Sequence, residues 1–160
     1  MLNERGICDA ERFARNVAFA DVDMCDIPAH LVGFDFLWSS CAMEHLGSID
    51  AAISFVRKAM RCLKPGGLAV HTTEFNCDSD TATVERGKDV ILRRSDFLRL
   101  RDLLESEGCD VGEIDFALGE SEADKFVDEV PYKGPSHLRL RIGGFASTSF
   151  GMIIRKGLCE

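Results

Sequence analysis

Several features that would place this chain in a specialised class of protein are missing from its sequence. No run approaches the ~20 consecutive apolar residues of a membrane span, and the acidic, polar start is unlike a signal peptide. Lysine and arginine number 19 against 27 aspartates and glutamates, whereas a protein that binds the nucleic-acid backbone usually presents a basic face. We therefore expect no membrane contact and no nucleic-acid partner.

The cysteines also lack the spacing of a disulfide framework or a zinc site. They are seven in number, none forms a CxxC pair, and successive cysteines lie at least fifteen positions apart. This distribution is typical of reduced thiols. We therefore expect a cytoplasmic protein. The cysteines are Cys8, Cys25, Cys41, Cys62, Cys77, Cys109 and Cys159.

What the chain does contain is ordinary globular composition. Hydrophobic residues make up 46% of its 160 residues and charged residues 29%. A chain of this length buries roughly two-thirds of its unfolded surface, which is enough for one core. We expect a single domain over residues 1–160.

Apolar periodicity predicts two amphipathic helices after a short helix from Ala10 to Arg15. The first is capped by Ser48 and ends before Pro65, where Gly66 and Gly67 supply a turn. Its apolar face follows the i, i+3, i+4 rule. That face comprises Ile49, Ala52, Ile53, Val56, Ala59, Met60 and Leu63. The second is expected to be capped by Ser95, to end at Gly108, and to bury Phe97, Leu100, Leu103 and Leu104.

Five apolar stretches are typical of strands. The first lies in "NVAFADV" and ends near Val22, and the second, "FDFLWSS", is expected to be buried on both faces with Trp38 in the core. The others are "GLAVHTTEF", "CDVGEIDF" and "FASTSFGMIIRK", with a polar loop from Asn76 to Lys88. Strands that alternate with helices predict an α/β fold whose sheet is mostly parallel, with an antiparallel strand at one edge. Ligands of such sheets bind at the carboxyl ends of the strands.

The ordered set "VDMCDIP", "FDFLWSSCAMEH", "LKPGGLAVHTTEF", "SDFLRLRDLLESEGCDV" and "TSFGMIIRK" resembles the second half of class I S-adenosylmethionine-dependent methyltransferases. The resemblance implies a Rossmann-like sheet and S-adenosylmethionine as cofactor. It also implies that Asp23 accepts a hydrogen bond from the adenine amino group, with Met24 beside the ring. Asp26 is an alternative for that role, and a simple turn is another for Asp23.

The resemblance implies roles for the next segments as well. Ser39, Ser40 and Cys41 match the segment that lines the methionine part of the cofactor. Glu44 and His45 match an "EH" pair that opens the following helix, although a helix-start carboxylate and a packed histidine would look the same.

His71 and Glu74 follow another strand end and are candidates for the acceptor side of the site. Since imidazole titrates near neutrality, His45 or His71 is the candidate base. A few related methyltransferases hold a divalent cation at this place, which here would use Glu44 and His45 with His71 or Glu74. Two carboxylates and two imidazoles are not a specific metal signature, so no metal site is assigned.

One part of the family pattern has no counterpart. A glycine-rich loop should precede Asp23, together with two central strands, yet Gly6 stands alone there. We therefore expect an amino-terminally truncated methyltransferase domain, with an unpaired inner edge on "FDFLWSS" and weak cofactor binding by this chain.

The methyl acceptor is expected to be a small or carbohydrate-like molecule methylated on oxygen or nitrogen. Rival hypotheses are a metal-assisted 2′-O-methyltransferase-like enzyme and a non-catalytic methyltransferase-like interaction module. Tyr132 and His137 lie where this fold often places residues that contact the acceptor. The sequence does not define the oligomeric state.

Overall fold

The structure, a computed structural model, describes residues 3–133 and 138–158. The described residues form a six-stranded sheet, two long helices that pack on it and two short helices. The strands are β1 (Phe34–Ser40), β2 (Leu63–Asn76), β3 (Asp110–Val111), β4 (Val127–Asp128), β5 (Arg139–Ile142) and β6 (Phe145–Arg155). The helices are α1 (Ala10–Asn16), α2 (Ile49–Ala59), α3 (Arg94–Ser106) and α4 (Glu122–Lys125), with 3-10 turns at Met43–His45 and Met60–Cys62. No helix in the described part of the chain is long and apolar enough to cross a membrane.

The sheet has the order β1-β2-β6-β5-β4, with β3 also paired to β6. β1 and β2 are parallel, whereas β6 runs antiparallel to β2. The predicted α/β class is confirmed. One antiparallel strand was expected at an edge; β6 is antiparallel, but within the described sheet it lies between β2 and β5. β5 was not predicted; it joins β6 through Gly143 and Gly144, both at positive φ (55° and 90°), which is the conformation of a two-residue hairpin turn.

Helix α2 forms over Ile49–Ala59, but it ends earlier than predicted. A 3-10 turn follows at Met60–Cys62, and Leu63, Gly66 and Gly67, which were expected to complete the helix and a turn, already belong to β2. The Ser48 Oγ accepts a hydrogen bond from the Ala51 amide at 3.1 Å, which satisfies one of the free amides of the first turn. Its buried face packs on β2 and α3 to form the core. The buried residues of α2 are Ile49, Ala52, Ile53, Phe55, Val56 and Ala59.

Helix α3 begins differently from the prediction. Arg93 is the N-cap residue, and Asp96 accepts hydrogen bonds from the Arg93 amide (2.9 Å) and from its Nε (2.8 Å). Ser95 therefore lies inside the first turn, and its predicted capping role is wrong because the Asp96 carboxylate organises the helix start. Gly108, at φ 81°, follows the helix end as expected.

The predicted strand in "NVAFADV" does not exist. Residues 17–23 form neither strand nor helix, and Phe19 is 71% exposed. A β-prone segment becomes a strand only when it pairs with a neighbouring strand, and this segment pairs with none of the described strands. Similarly, "CDVGEIDF" forms only the two-residue β3.

One face of the sheet carries the helices, while the opposite face is open. β1 lies at the edge of the described sheet, as expected, but the prediction that it is buried on both faces is wrong. Phe36 is 53% exposed and Trp38 is 69% exposed, so Trp38 is not a core residue. In register with Trp38 and Val70 lies Ile153, which is 58% exposed. The chain thus builds a two-layer structure with an apolar outer face.

Candidate functional site

The parallel pairing of β1 and β2 brings their carboxyl ends side by side. Ser40 is in register with Thr72, and the Thr72 Oγ1 lies 3.4 Å from the Ser40 Oγ. The next residue, Cys41, donates its amide to the Thr72 carbonyl at 3.0 Å. Since a strand-end crevice is where α/β sheets bind ligands, these residues define the candidate site. We call it the strand-end cluster, and it comprises Ser40, Cys41, Glu44, Thr72, Glu74 and Ser149.

Cys41 turns the chain away from the sheet at this point. Its φ of 44° is uncommon for a residue with a side chain. The turn leaves the thiol exposed, with its Sγ 3.5 Å from the Ser149 Oγ and 3.7 Å from the Thr72 Oγ1. The small side chains of Ser40 and Cys41 allow another molecule to approach the backbone closely.

Two carboxylates complete the cluster. Glu44 is almost fully buried, at 2% exposure, and its Oε2 accepts a hydrogen bond from the Thr73 hydroxyl at 3.0 Å. Burial raises the pKa of Glu44, which disfavours the charged form. The carboxylate of the half-buried Glu74 accepts a hydrogen bond from the Ser147 hydroxyl.

His45 lies next to Glu44 at the end of the 3-10 turn, and its side chain is 53% exposed. The ring Nδ1 lies 2.9 Å from the Asp89 Oδ1 and 3.2 Å from the Lys88 carbonyl oxygen. Asp89 directly follows the segment 76–88, which the sequence pattern describes only as a polar loop. No motif in the sequence connects Asp89 to His45, because the contact depends on how the loop folds over the turn.

His71 occupies a different environment from His45. It is 3% exposed, its Nδ1 lies 2.8 Å from the Ser39 Oγ, and its ring packs edge-on against Phe55 at 5.7 Å between centroids. The Nε2 is buried without a hydrogen-bond partner. Burial lowers the pKa of His71 to about 4. The structure therefore corrects the expectation that His71 lies on the acceptor side, because the ring is enclosed beneath the helices.

Strand alternation explains where the candidates of β2 point. Along this strand His71 and Thr73 are buried, whereas Thr72 and Glu74 are half-buried. Successive side chains of a strand point to opposite faces, so His71 and Thr73 face the helices while Thr72 and Glu74 face the other side. The same rule separates Ser39, bonded to His71, from Ser40.

The predicted adenine-binding residues form a turn. The Asp23 Oδ1 accepts a hydrogen bond from the Cys25 amide at 2.8 Å, and its carbonyl accepts one from Asp26. Met24 packs against the core, and Lys58 of α2 donates to the Cys25 carbonyl at 2.9 Å. Within the described residues no hydrogen bond connects this turn to the strand-end cluster. Asp23 thus stabilises a turn in this structure, and its hydrogen bond to the adenine amino group stays a prediction.

Three metal-ligating atoms converge in the cluster. One atom each from Cys41, Glu44 and Glu74 lies within 4.8 Å of the other two. The metal hypothesis from the sequence named a different set. Neither histidine of that set belongs to this group: the His45 Nδ1 hydrogen-bonds the Lys88 carbonyl, and the His71 Nδ1 hydrogen-bonds the Ser39 hydroxyl. Of the two other acceptor-side candidates, Tyr132 is exposed and His137 lies outside the described residues.

Comparison with known proteins gives a partial match to the expected family. Residues 3–71 match a family model described as "Methyltransferase domain". This match spans α1, β1, the 3-10 turn with Glu44 and His45, α2 and β2 as far as His71. A search of curated proteins finds no significant match.

Solved structures share the fold at low sequence identity. A protein from Bacillus halodurans C-125 described as a "putative methyltransferase" is 18% identical, with a TM-score of 0.54 over 92% of this chain and 86% of that one. A SAM-dependent methyltransferase from Methanosarcina mazei is 14% identical, with a TM-score of 0.54 over 98% and 80%. The [4+2]-cyclase SpnF is 21% identical, with a TM-score of 0.50. The match covers 69% of this chain but only 38% of the cyclase. The predicted resemblance to class I methyltransferases is confirmed.

Proposed function

We propose that this chain, a relative in sequence and fold of the class I S-adenosylmethionine-dependent methyltransferases, takes part in methyl transfer from S-adenosylmethionine to an oxygen or nitrogen atom of a small or carbohydrate-like acceptor. The fold alone does not decide the reaction, since one structure that shares it is a cyclase. The proposal therefore depends on the site.

The observation that carries the proposal is the strand-end cluster with His45 beside it. Ser40, Cys41 and Thr72 bring small side chains to the carboxyl ends of two parallel strands. His45 supplies a half-exposed imidazole within one residue of the cluster. Among the histidines predicted to act, only this one is open to solvent, because His71 is enclosed.

The residues present fit part of a cofactor site. The small side chains at Ser40 and Cys41 leave the backbone of the strand end approachable, and Asp23 is an exposed carboxylate that could accept from an amine. S-adenosylmethionine would supply a methyl group that is already activated on a sulfonium. The chain's own part is to position the acceptor and to take its proton at the His45 Nε2.

A binding experiment tests the cofactor part of the proposal. The sequence has no glycine-rich loop before Asp23, so we expect weak binding that is best detected by amide chemical shifts during titration with S-adenosylmethionine. Shifts are expected at residues 23–24 and 39–41. Asp23→Asn should weaken the response, whereas Asp26→Asn is the matched control. No shift at either segment up to millimolar cofactor would reject the proposed site.

A second candidate function is methyl transfer assisted by a divalent cation. The convergence of Cys41, Glu44 and Glu74 favours it over a metal held by the two histidines. One thiolate and two carboxylates form a mixed donor set that suits zinc better than magnesium. Each ligand also contacts a hydroxyl, from Ser149, Thr73 and Ser147 respectively. Such second contacts hold metal ligands in place.

Metal binding can be measured without any activity. Purified protein incubated with Zn²⁺ and then desalted is expected to retain about one ion per chain. Cys41→Ser should reduce the retained zinc severalfold. The control is Cys25→Ser, which removes another exposed thiol outside the cluster. Equal retention by both variants would exclude a zinc site at Cys41.

A further inference from the structure

The open face of the sheet presents a cluster of apolar side chains to solvent. Trp38, Val70 and Ile153 form one row across β1, β2 and β6, and Phe36 and Leu68 lie in the row before it. Phe36 is 53% exposed, Trp38 69% and Ile153 58%, while Leu68 and Val70 are half-buried. We call these five side chains the outer-face patch. A contiguous apolar patch of this kind usually marks an interaction surface.

The area of the outer-face patch approaches what a stable dimer needs. At about 200 Å² for a large side chain, the exposed parts of Phe36, Trp38 and Ile153 amount to about 350 Å² of apolar surface. A specific interface buries about 800 Å² per partner, of which somewhat more than half is apolar. The patch therefore supplies most of the apolar surface of one side of such an interface.

The shape of this face is complementary to its own copy. The row beyond the patch consists of small side chains, since Ser40, Thr72 and Gly151 are in register there. A two-fold axis that reverses the strand direction places Trp38 over the partner's Ser40 and Ile153 over the partner's Gly151. Each large side chain thus meets a small one, which is how the inner faces of two packed sheets interdigitate.

Charge does not drive this contact. The outer-face patch contains no charged side chain, and Arg155 lies at its border, in register with Leu68. Each chain carries a net charge of −8, so two copies repel each other at long range. Since salt screens such repulsion, association through the patch is expected to become tighter as the salt concentration rises.

We propose that this chain forms a homodimer in which the outer-face patches of two copies pack against each other. The two sheets become the inner layers, about 10 Å apart, and the helices α2 and α3 become the outer ones. The proposal does not rest on methyl transfer. Because the interface covers Ser40 and Thr72 of the strand-end cluster, the dimer is the form without a cofactor at that cluster.

Sedimentation equilibrium tests the proposal directly. At micromolar concentrations the wild type is expected to show a reversible equilibrium between one chain and two. Ile153→Glu should weaken association about a hundredfold, because its carboxylate would be buried without a partner. Ile153→Thr, which keeps a β-branched side chain suited to a strand, should weaken it less. The matched control is Ile7→Glu, because Ile7 is 87% exposed and lies outside the sheet.

Fluorescence locates the contact, because Trp38 is the single tryptophan of the chain. As the dimer forms, its emission is expected to shift to shorter wavelength and its quenching by acrylamide to fall. In Ile153→Glu the emission should stay that of an exposed indole at the same concentrations, with a circular dichroism spectrum like that of the wild type.

Three results would overturn the proposal. One is a wild type that stays monomeric with an exposed Trp38. Another is a dimer that Ile153→Glu leaves intact, which would indicate pairing through the free edge of β1, since Ile153 lies two strands away from that edge. The third is association that continues beyond two copies, because a two-fold contact closes at the dimer.

Discussion

Replacing His45 with glutamine is expected to lower the rate of methyl transfer to a hydroxyl acceptor about a hundredfold, the lower end of the contribution of a general base. Glutamine keeps a polar side chain of similar length, and it can still bond Asp89 and Lys88. It cannot accept a proton near neutral pH, so the acceptor oxygen would retain its proton as the methyl group arrives. The measurement is single-turnover transfer of labelled methyl at a fixed, high cofactor concentration.

The matched control for this substitution is His30→Gln. His30 is exposed and lies in a turn before β1, outside the 3-10 turn that carries His45. Its replacement is expected to leave the rate unchanged. If both variants transfer methyl groups as fast as the wild type, His45 is not the base that takes the proton of the acceptor. Methyl transfer would then depend on positioning of the acceptor alone.

The parts of the fold that the sequence predicted well are those set by local chemistry. Helix α2 has a capping serine, an uninterrupted apolar face and a proline beyond its end, and all three signals agree. The hairpin between β5 and β6, which was not predicted, also has a local signal in Gly143 and Gly144. Such features depend on neighbours within a few positions along the chain.

Features that depend on distant partners were predicted poorly. "FDFLWSS" is a strand, but whether its two faces are covered depends on other layers of the molecule. The apolar side chains of Phe36 and Trp38 do not reveal that α2 and α3 cover only the opposite face. The segment near Phe19 has β-prone residues and no strand beside it. The composition of a segment indicates that it could form a strand, whereas the arrangement of the neighbouring strands decides whether it pairs.

The candidate site shows the same division. The strand-end rule correctly brought Ser40 and Cys41 together with Thr72 and Glu74. The rule failed for His71. The strand before it is apolar at successive positions, so the sequence does not show which side chains face the helices, and a shift of one position moves a side chain to the other face. Asp89 was missed because a loop positions it.

The burial of His71 predicts an acid-sensitive fold. Its pKa is lowered from 6.5 to about 4 in the folded chain, because burial disfavours the charged ring. Between these values the unfolded chain binds a proton at this position and the folded chain does not. The free energy of unfolding therefore falls as the pH drops through 6.5 toward 4 and is insensitive to this group above that window. The full effect is about 3 kcal/mol, at about 1.4 kcal/mol per pH unit.

The measurement is the free energy of unfolding from urea titrations at several pH values for the wild type and His71→Phe. Phenylalanine fills a similar volume beside Phe55 and cannot titrate, although it leaves the Ser39 hydroxyl without its partner. We expect the variant to lose less stability than the wild type between pH 6.5 and 4. Comparison of the two proteins also removes the opposite contribution of Glu44, whose raised pKa favours the fold in acid. Parallel pH profiles would mean that the ring becomes protonated inside the folded chain, and the buried environment assigned to His71 would be wrong.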